Sequence, residues 1–135
     1  LVNPVNTVGV MGKGLALAFK KAFPANFKAY EAAAKAGALA VGSVFVFEAV
    51  GLVQPRYILN FPTKAHWRDP SKLSYVEDGL RDLVRVVRAR KIGSIAIPAL
   101  GAGLGGLPWD DVRPLITRGL AELEDVEIQV FAPLG

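Results

Sequence analysis

Two glycine-rich runs and one amine are the parts of this 135-residue chain with chemistry to offer. The first run, Gly9-Val10-Met11-Gly12-Lys13-Gly14-Leu15, follows Leu1-Val2-Asn3-Pro4-Val5-Asn6-Thr7 and leads into an Ala/Leu/Lys stretch of helical periodicity. A strand, a glycine turn and a helix start in that order form an anion site. The first helical amides lack carbonyl partners, and the helix dipole adds positive potential at that end. Glycines at 9, 12 and 14 let backbone amides reach a phosphate with no Cβ in the way. Their spacing is neither that of the P-loop nor that of the dinucleotide fingerprint, so the run alone also suits a plain tight turn. Asn6 adds to it a short polar side chain at a strand's carboxyl end, where open α/β sheets bind ligands. The second run, Gly101-Ala102-Gly103-Leu104-Gly105-Gly106, again lies between an apolar strand and a helix. Two such turns can clasp a diphosphate, one loop per phosphate. Lys64 stands three residues beyond a predicted strand end. An amine there can pair with an anion or, desolvated, act as a nucleophile. The ordinary alternative is an exposed loop lysine.

The elements that must hold these groups are legible in the hydrophobic pattern. Leu15, Ala18, Phe19 and Ala22 recur at helical spacing until Phe23-Pro24, and a second helix is expected from Asn26, as N-cap, to Ala36 with Gly37 after it. Val44–Val50 and Tyr57–Phe61 read as neighbouring antiparallel strands. A polar loop of about a dozen residues then carries His66, Trp67 and Arg68, and loops that long in a compact domain are usually functional. Ser74-Tyr75-Val76-Glu77 reads as a capping box before a helix whose core stripe is Val76, Leu80, Leu83, Val84 and Val87; its Arg81, Arg85 and Arg88 read as a solvated face. Ser94–Leu100 is a short strand, Asp110 or Asp111 is expected to cap a helix containing Pro114 in its first turn, and Glu127–Phe131 is the last strand. The expectation is one three-layer α/β/α domain over residues 1–135 with a mixed sheet.

Composition narrows the classes. Hydrophobic residues make up 52% and mean hydropathy is +0.34, which argues against disorder, yet no apolar run reaches the ~20 residues of a membrane span. No membrane partner is expected. With no cysteine and one histidine, disulfides, thiolate metal sites and multi-histidine metal clusters are excluded. Cytoplasmic residence and no cofactor are expected. A net charge of +4 and a pI near 9.6 suit a polyanionic partner.

Asn3-Pro4-Val5-Asn6, Gly9-Val10-Met11-Gly12-Lys13-Gly14 and Gly101-Ala102-Gly103-Leu104-Gly105-Gly106 together resemble the macrodomains, the fold that recognises ADP-ribose. With Phe61-Pro62-Thr63-Lys64 and Leu107-Pro108-Trp109 added, the chain is similar to the macrodomains of the DarG antitoxin family. The resemblance implies a DNA ADP-ribosyl glycohydrolase that removes ADP-ribose from thymidine in single-stranded DNA and so counteracts a DarT-type toxin. Carried over, Lys64 is the catalytic lysine. Asn6, Thr7, Gly9, Val10, Met11, Gly12, Lys13, Gly14 and Leu15 form the first ADP-ribose loop, with Asn6 on the distal ribose, and Gly101, Ala102, Gly103, Leu104, Gly105 and Gly106 form the second.

Two departures from the family pattern stand out. Related glycohydrolases carry an aspartate where this chain has Gly105, so water activation falls to a ligand phosphate oxygen or to an unmarked residue. The resemblance also implies a first strand followed by an acid that binds the adenine amino group, and the segment that would supply it is absent ahead of Leu1, so a truncated N-terminal strand is expected. Trp67 can stack on a thymine or pin its loop, Arg68 can meet phosphate, and His66 can orient Lys64 or touch the base. A hydrolase of ADP-ribosyl glutamate esters and a non-catalytic ADP-ribose reader are the alternatives.

Overall fold

Side-chain alternation along two central strands assigns the faces of the sheet. The computed structural model describes residues 1–49, 55–103 and 105–133. Strand β1 (Val2–Asn6) pairs in parallel with β3 (Tyr57–Lys64), and β2 (Phe45–Glu48) pairs antiparallel on the other side of β3. Strands β4 (Ser94–Ile97) and β5 (Glu127–Val130) form a parallel pair, with β4 packed beside β1. Val2, Leu59 and Phe61 face one core, which they share with α3 (Leu73–Ala89) and α4 (Trp109–Gly119). Val5 faces another core, with Met11 and with Tyr30 of α2 (Pro24–Lys35). Helix α1 (Gly14–Ala22) lies beside β1 and α2. Helices thus cover both faces of a mixed sheet, in the expected three layers.

The expected core stripe of α3 is buried throughout, because a long amphipathic helix reports its inner face reliably. Helix α1 differs: of its expected stripe only Phe19 is buried, and Leu15 is 44% exposed, since α1 is a short peripheral helix.

Several boundaries shift for local reasons. Helix α2 starts at Pro24, which suits the first helical position because its missing N–H has no intrahelical role there. Asn26 is therefore no cap. It is fully buried, and its amide exchanges hydrogen bonds with Asn60 at 2.8 and 3.2 Å, while Asn3 donates to Asn60 at 3.2 Å. Helix α3 starts at Leu73 without a side-chain cap, so Ser74 makes no capping box. Pro108 is the N-cap of α4, which places Asp110 and Asp111 in the first turn and Pro114 deeper than expected, at the sixth helical residue. Strand β2 ends at Glu48, and Val50 lies outside the described residues.

Strand β3 runs three residues past its expected end. Pro62 is tolerated because Leu59 turns its N–H toward β1, to Leu1 O at 2.8 Å, so by alternation position 62 faces the β2 side. There the ladder has already stopped at the Phe45–Asn60 pair, so the missing donor breaks no ladder hydrogen bond. The loop after β3 starts at Ala65, and Lys64 belongs to the strand.

Candidate functional site at the carboxyl ends of β1 and β3

Asn6 and Lys64 are the terminal register partners of the parallel β1–β3 ladder. The register shifts between Val5 and Asn6, and such an irregularity re-aims the side chain that follows it. Strict alternation would give Asn6 the face of Val2; instead its side chain meets Tyr30 of α2. Opposite it the register steps from Pro62 to Lys64, so Thr63 is the extra residue of β3 and Lys64 lies abreast of Asn6. Lys64 is half-buried.

The Asn6 side chain shapes the first glycine loop. Its Oδ1 accepts from the amides of Val8 and Val10 at 3.1 and 3.4 Å and from the Tyr30 hydroxyl at 2.9 Å, while Nδ2 donates to Val10 O at 2.8 Å. One Nδ2 hydrogen remains outside this set. Tyr30, fully buried, shares the same hydroxyl proton with Asn6 O at 2.7 Å, and burial raises its pKa to about 12. Gly9 adopts φ +91° against α2, and a Cβ there would lie 3.0 Å from Ala34 Cβ, so both conformation and space call for glycine.

Within this loop the side chains divide sharply. Met11 is 1% exposed and packs with Val5 and Tyr30 beneath the loop, while Val8 and Val10 project outward at 44% and 42% exposure. Gly12, Lys13, Gly14 and Leu15 are exposed where α1 begins.

The loop after Lys64 fastens to both glycine runs. Thr7 gives its amide (3.3 Å) and its hydroxyl (2.6 Å) to Ala65 O, tying the first run to the residue after Lys64. At the other end the Ser71 amide donates to Gly105 O at 3.1 Å. Gly101 and Gly105 are buried, and Gly103 and Gly106 exposed. A Cβ at Gly105 would stand 2.4 Å from Ser71 Oγ and 2.5 Å from Gly101 O. The position where related enzymes carry aspartate therefore has no room for any side chain. Ala102 and Trp109 pack on the α3–α4 core, and Leu104 lies outside the described residues.

Between those two fastenings stand His66, Trp67 and Arg68. The His66 and Trp67 rings lie 5.3 Å apart, the Arg68 guanidinium sits 4.6 Å from the Trp67 ring centre, and Trp67 is 44% exposed. His66 Nδ1 accepts from the Arg68 amide at 3.1 Å, which folds the turn on itself. An exposed aromatic plane with a cation at its face suits stacking with a base and contact with its phosphate.

The fold thus brings Asn6, Thr7, Lys64, both glycine runs and the Trp67 turn to one end of the sheet. Tyr30, Asn26, Asn60 and Ser71 support them and carry no motif. The one signal they left was asparagine at strand positions 3 and 60, a residue that strands disfavour. At the opposite end lies a cleft of about 590 Å3, lined by Leu1, Tyr57, Ser94 and Glu127 at the strands' amino ends. It lacks the strand–glycine–helix geometry of an anion site, and its Arg56 and Arg90 lie against the Tyr57 ring. Among the described residues no cluster of acids and histidine suits a metal, and no helix is long and apolar enough to cross a membrane.

Comparison with known proteins shows the family. The Macro domain family model matches residues 2–116. A Thermus aquaticus protein named DNA ADP-ribosyl glycohydrolase is 55% identical over 99% of the chain, which spans 37% of that relative's length. The macrodomain of Mycobacterium tuberculosis DarG superposes with a TM-score of 0.97 at 50% identity, covering 98% of this chain and 88% of that one. Thermosipho africanus DarTG in complex with ADP-ribose superposes with a TM-score of 0.91 at 39% identity, covering 98% of this chain and 37% of that one. With two glycine turns at the strand ends and a lysine abreast of the loop-shaping asparagine, the chain belongs to the macro domain family and, within it, to the macrodomains of DarG proteins.

Proposed function

We propose that this domain is a DNA ADP-ribosyl glycohydrolase, which releases ADP-ribose from thymidine in single-stranded DNA and so acts as the antitoxin to a DarT-type transferase in the cytoplasm. The observation that carries the reading is the register pairing of Asn6 with Lys64, at the root of a loop fastened to both glycine runs. The relatives at 55% and 39% identity bear the names DNA ADP-ribosyl glycohydrolase and a transferase–glycohydrolase fusion, which supports the substrate and the partner.

In this reading backbone amides of residues 9–15 and 101–106 hold the diphosphate, apart from those of Val10, Ala102 and Gly106, which donate to Asn6 Oδ1, Ala99 O and Gly103 O, and Asn6 contributes its remaining amide hydrogen to the distal ribose. Lys64 acts at the bond between ribose C1 and the thymine nitrogen. That bond breaks with its electron pair moving to the base, water adds hydroxyl to C1, and a proton returns to the nitrogen. The departing imide spreads charge over two carbonyls, so an adjacent ammonium lowers the barrier without full protonation. A neutral Lys64 adding to C1 of the opened sugar is the covalent variant of the same role. Trp67 and Arg68 meet the nucleotide next to the modified base.

The test compares the parent and Lys64→Ala on an ADP-ribosylated thymidine oligonucleotide and on an ADP-ribosylated glutamate peptide, following free ADP-ribose. Release from DNA by the parent, lost at least 100-fold in the variant while ADP-ribose still binds, supports the reading. Release from the peptide alone would make the domain an ester hydrolase, and release from neither with ADP-ribose still bound would make it a reader.

A further inference from the structure

The chain's net positive charge sits in one region. Residues 1–47 carry five lysines, at 13, 20, 21, 28 and 35, against a single acid, Glu31. From Glu48 onward eleven lysines and arginines meet eleven aspartates and glutamates, so the formal +4 belongs entirely to α1, α2 and the turn before them.

The two populations also differ in their surroundings. On α3, Arg81, Arg85 and Arg88 pair with Asp78, Asp82 and Glu122 at 2.9, 2.7 and 2.8 Å. On the α1–α2 pair, Lys35 reaches Glu31 at 3.8 Å, and Lys20 lies 4.5 Å from the Phe27 ring centre. Lys13, Lys21 and Lys28 make no ion pair among the described residues. All five lysines are exposed.

The region starts and ends at the first glycine run. Lys13 stands between Gly12 and Gly14, and α2 returns to the same loop where Ala34, next to Lys35, underlies Gly9. Lys28 and Lys35 are seven residues apart and share a face of α2, and the Lys20 contact with Phe27 brings the end of α1 onto α2. The 12 residues of α2 extend about 18 Å, room for several phosphates.

We propose that this lysine face is a track for the sugar–phosphate backbone of single-stranded DNA, guiding the strand to the first glycine run. The choice of DNA rests on the glycohydrolase reading, but the track is testable without turnover. Its contacts are to phosphate, so it is indifferent to sequence and sensitive to salt.

The experiment measures binding of an unmodified, fluorescein-labelled oligothymidylate by anisotropy from about 25 to about 200 mM NaCl. The parent is compared with Lys20→Gln/Lys21→Gln/Lys28→Gln and with Arg81→Gln/Arg85→Gln/Arg88→Gln on the paired face of α3. The lysine variant is expected to bind about tenfold more weakly at low salt. Its slope of log K against log salt becomes shallower by about 2, near 0.7 for each of three phosphates. The α3 variant stays within about twofold, and ADP-ribose affinity is unchanged in both. An unaltered slope in the lysine variant, an equal loss in the α3 variant, or no oligonucleotide binding by the parent at low salt would overturn the track. Binding that behaves as expected in a protein releasing nothing from ADP-ribosylated DNA would count against the catalytic reading alone.

Discussion

The single proton of the Tyr30 hydroxyl is shared between the main-chain and the side-chain oxygen of Asn6, which lie 2.7 and 2.9 Å from the hydroxyl oxygen. A helix residue with no expected part in ligand binding therefore holds the asparagine around which the first glycine run folds. Asn26, one turn earlier on α2, is pinned to β3 through Asn60, so the buried amides fix the helix that presents Tyr30.

Tyr30→Phe preserves the ring and removes the donor, leaving Asn6 underpaired in a buried setting, a cost of about 1–3 kcal/mol. A drop in melting temperature and a several-fold loss of ADP-ribose affinity are expected by calorimetry. Burial raises the phenol's pKa from 10.0 to about 12. The folded state then holds this proton more tightly than the unfolded chain does, so the contribution is complete below pH 10 and declines as pH rises toward 12. The alkaline decline in stability between those values should be shallower in Tyr30→Phe, and an identical pH profile would refute the role.

Thr7 places two donors on Ala65 O, beside Lys64. Thr7→Val keeps the shape and loses the hydroxyl, and should reduce kcat about tenfold while ADP-ribose affinity stays within about threefold, the size of one hydrogen bond held in place. Thr7→Ser restores the donor and should recover most of the rate. Failure of serine to rescue would mean that the methyl group, not the hydroxyl, is what matters.

Gly105 has no space for a side chain, and two of the three atoms that crowd it are the backbone O and C of Gly101. Backbone cannot swing aside as a side chain can, so Gly105→Ala is expected to displace the second run and weaken ADP-ribose binding at least tenfold. Gly105→Asp should be no better, despite restoring the carboxylate of related enzymes. Gain of activity in the aspartate variant would show that the loop yields more readily than its packing implies.

Trp67→Ala should weaken binding of single-stranded DNA by about 1–3 kcal/mol, the scale of one stacked base, and leave ADP-ribose affinity unchanged. If the ring instead pins its loop, both affinities fall together. Parallel titrations with oligothymidylate and ADP-ribose separate these outcomes.

Residues 9–15 and 101–106 stood out through composition, and the structure gives Gly9 and Gly105 a packing reason, since Ala34 and the Gly101 backbone leave no room for a Cβ. The stripe of α3 was equally plain, since a long amphipathic helix repeats its pattern many times. Helix starts were harder to read, as at Asn26, Ser74 and Asp110, because serine, asparagine and aspartate suit caps, first turns and buried networks alike. What tertiary structure alone decided is the pairing of Asn6 with Lys64 and the fastening of residues 65–71 to both glycine runs. The ladder register places two residues 58 positions apart side by side. The main-chain oxygens of Ala65 and Gly105 then receive the donors. Every residue carries such an oxygen, so no choice of side chain could have announced which ones would be used.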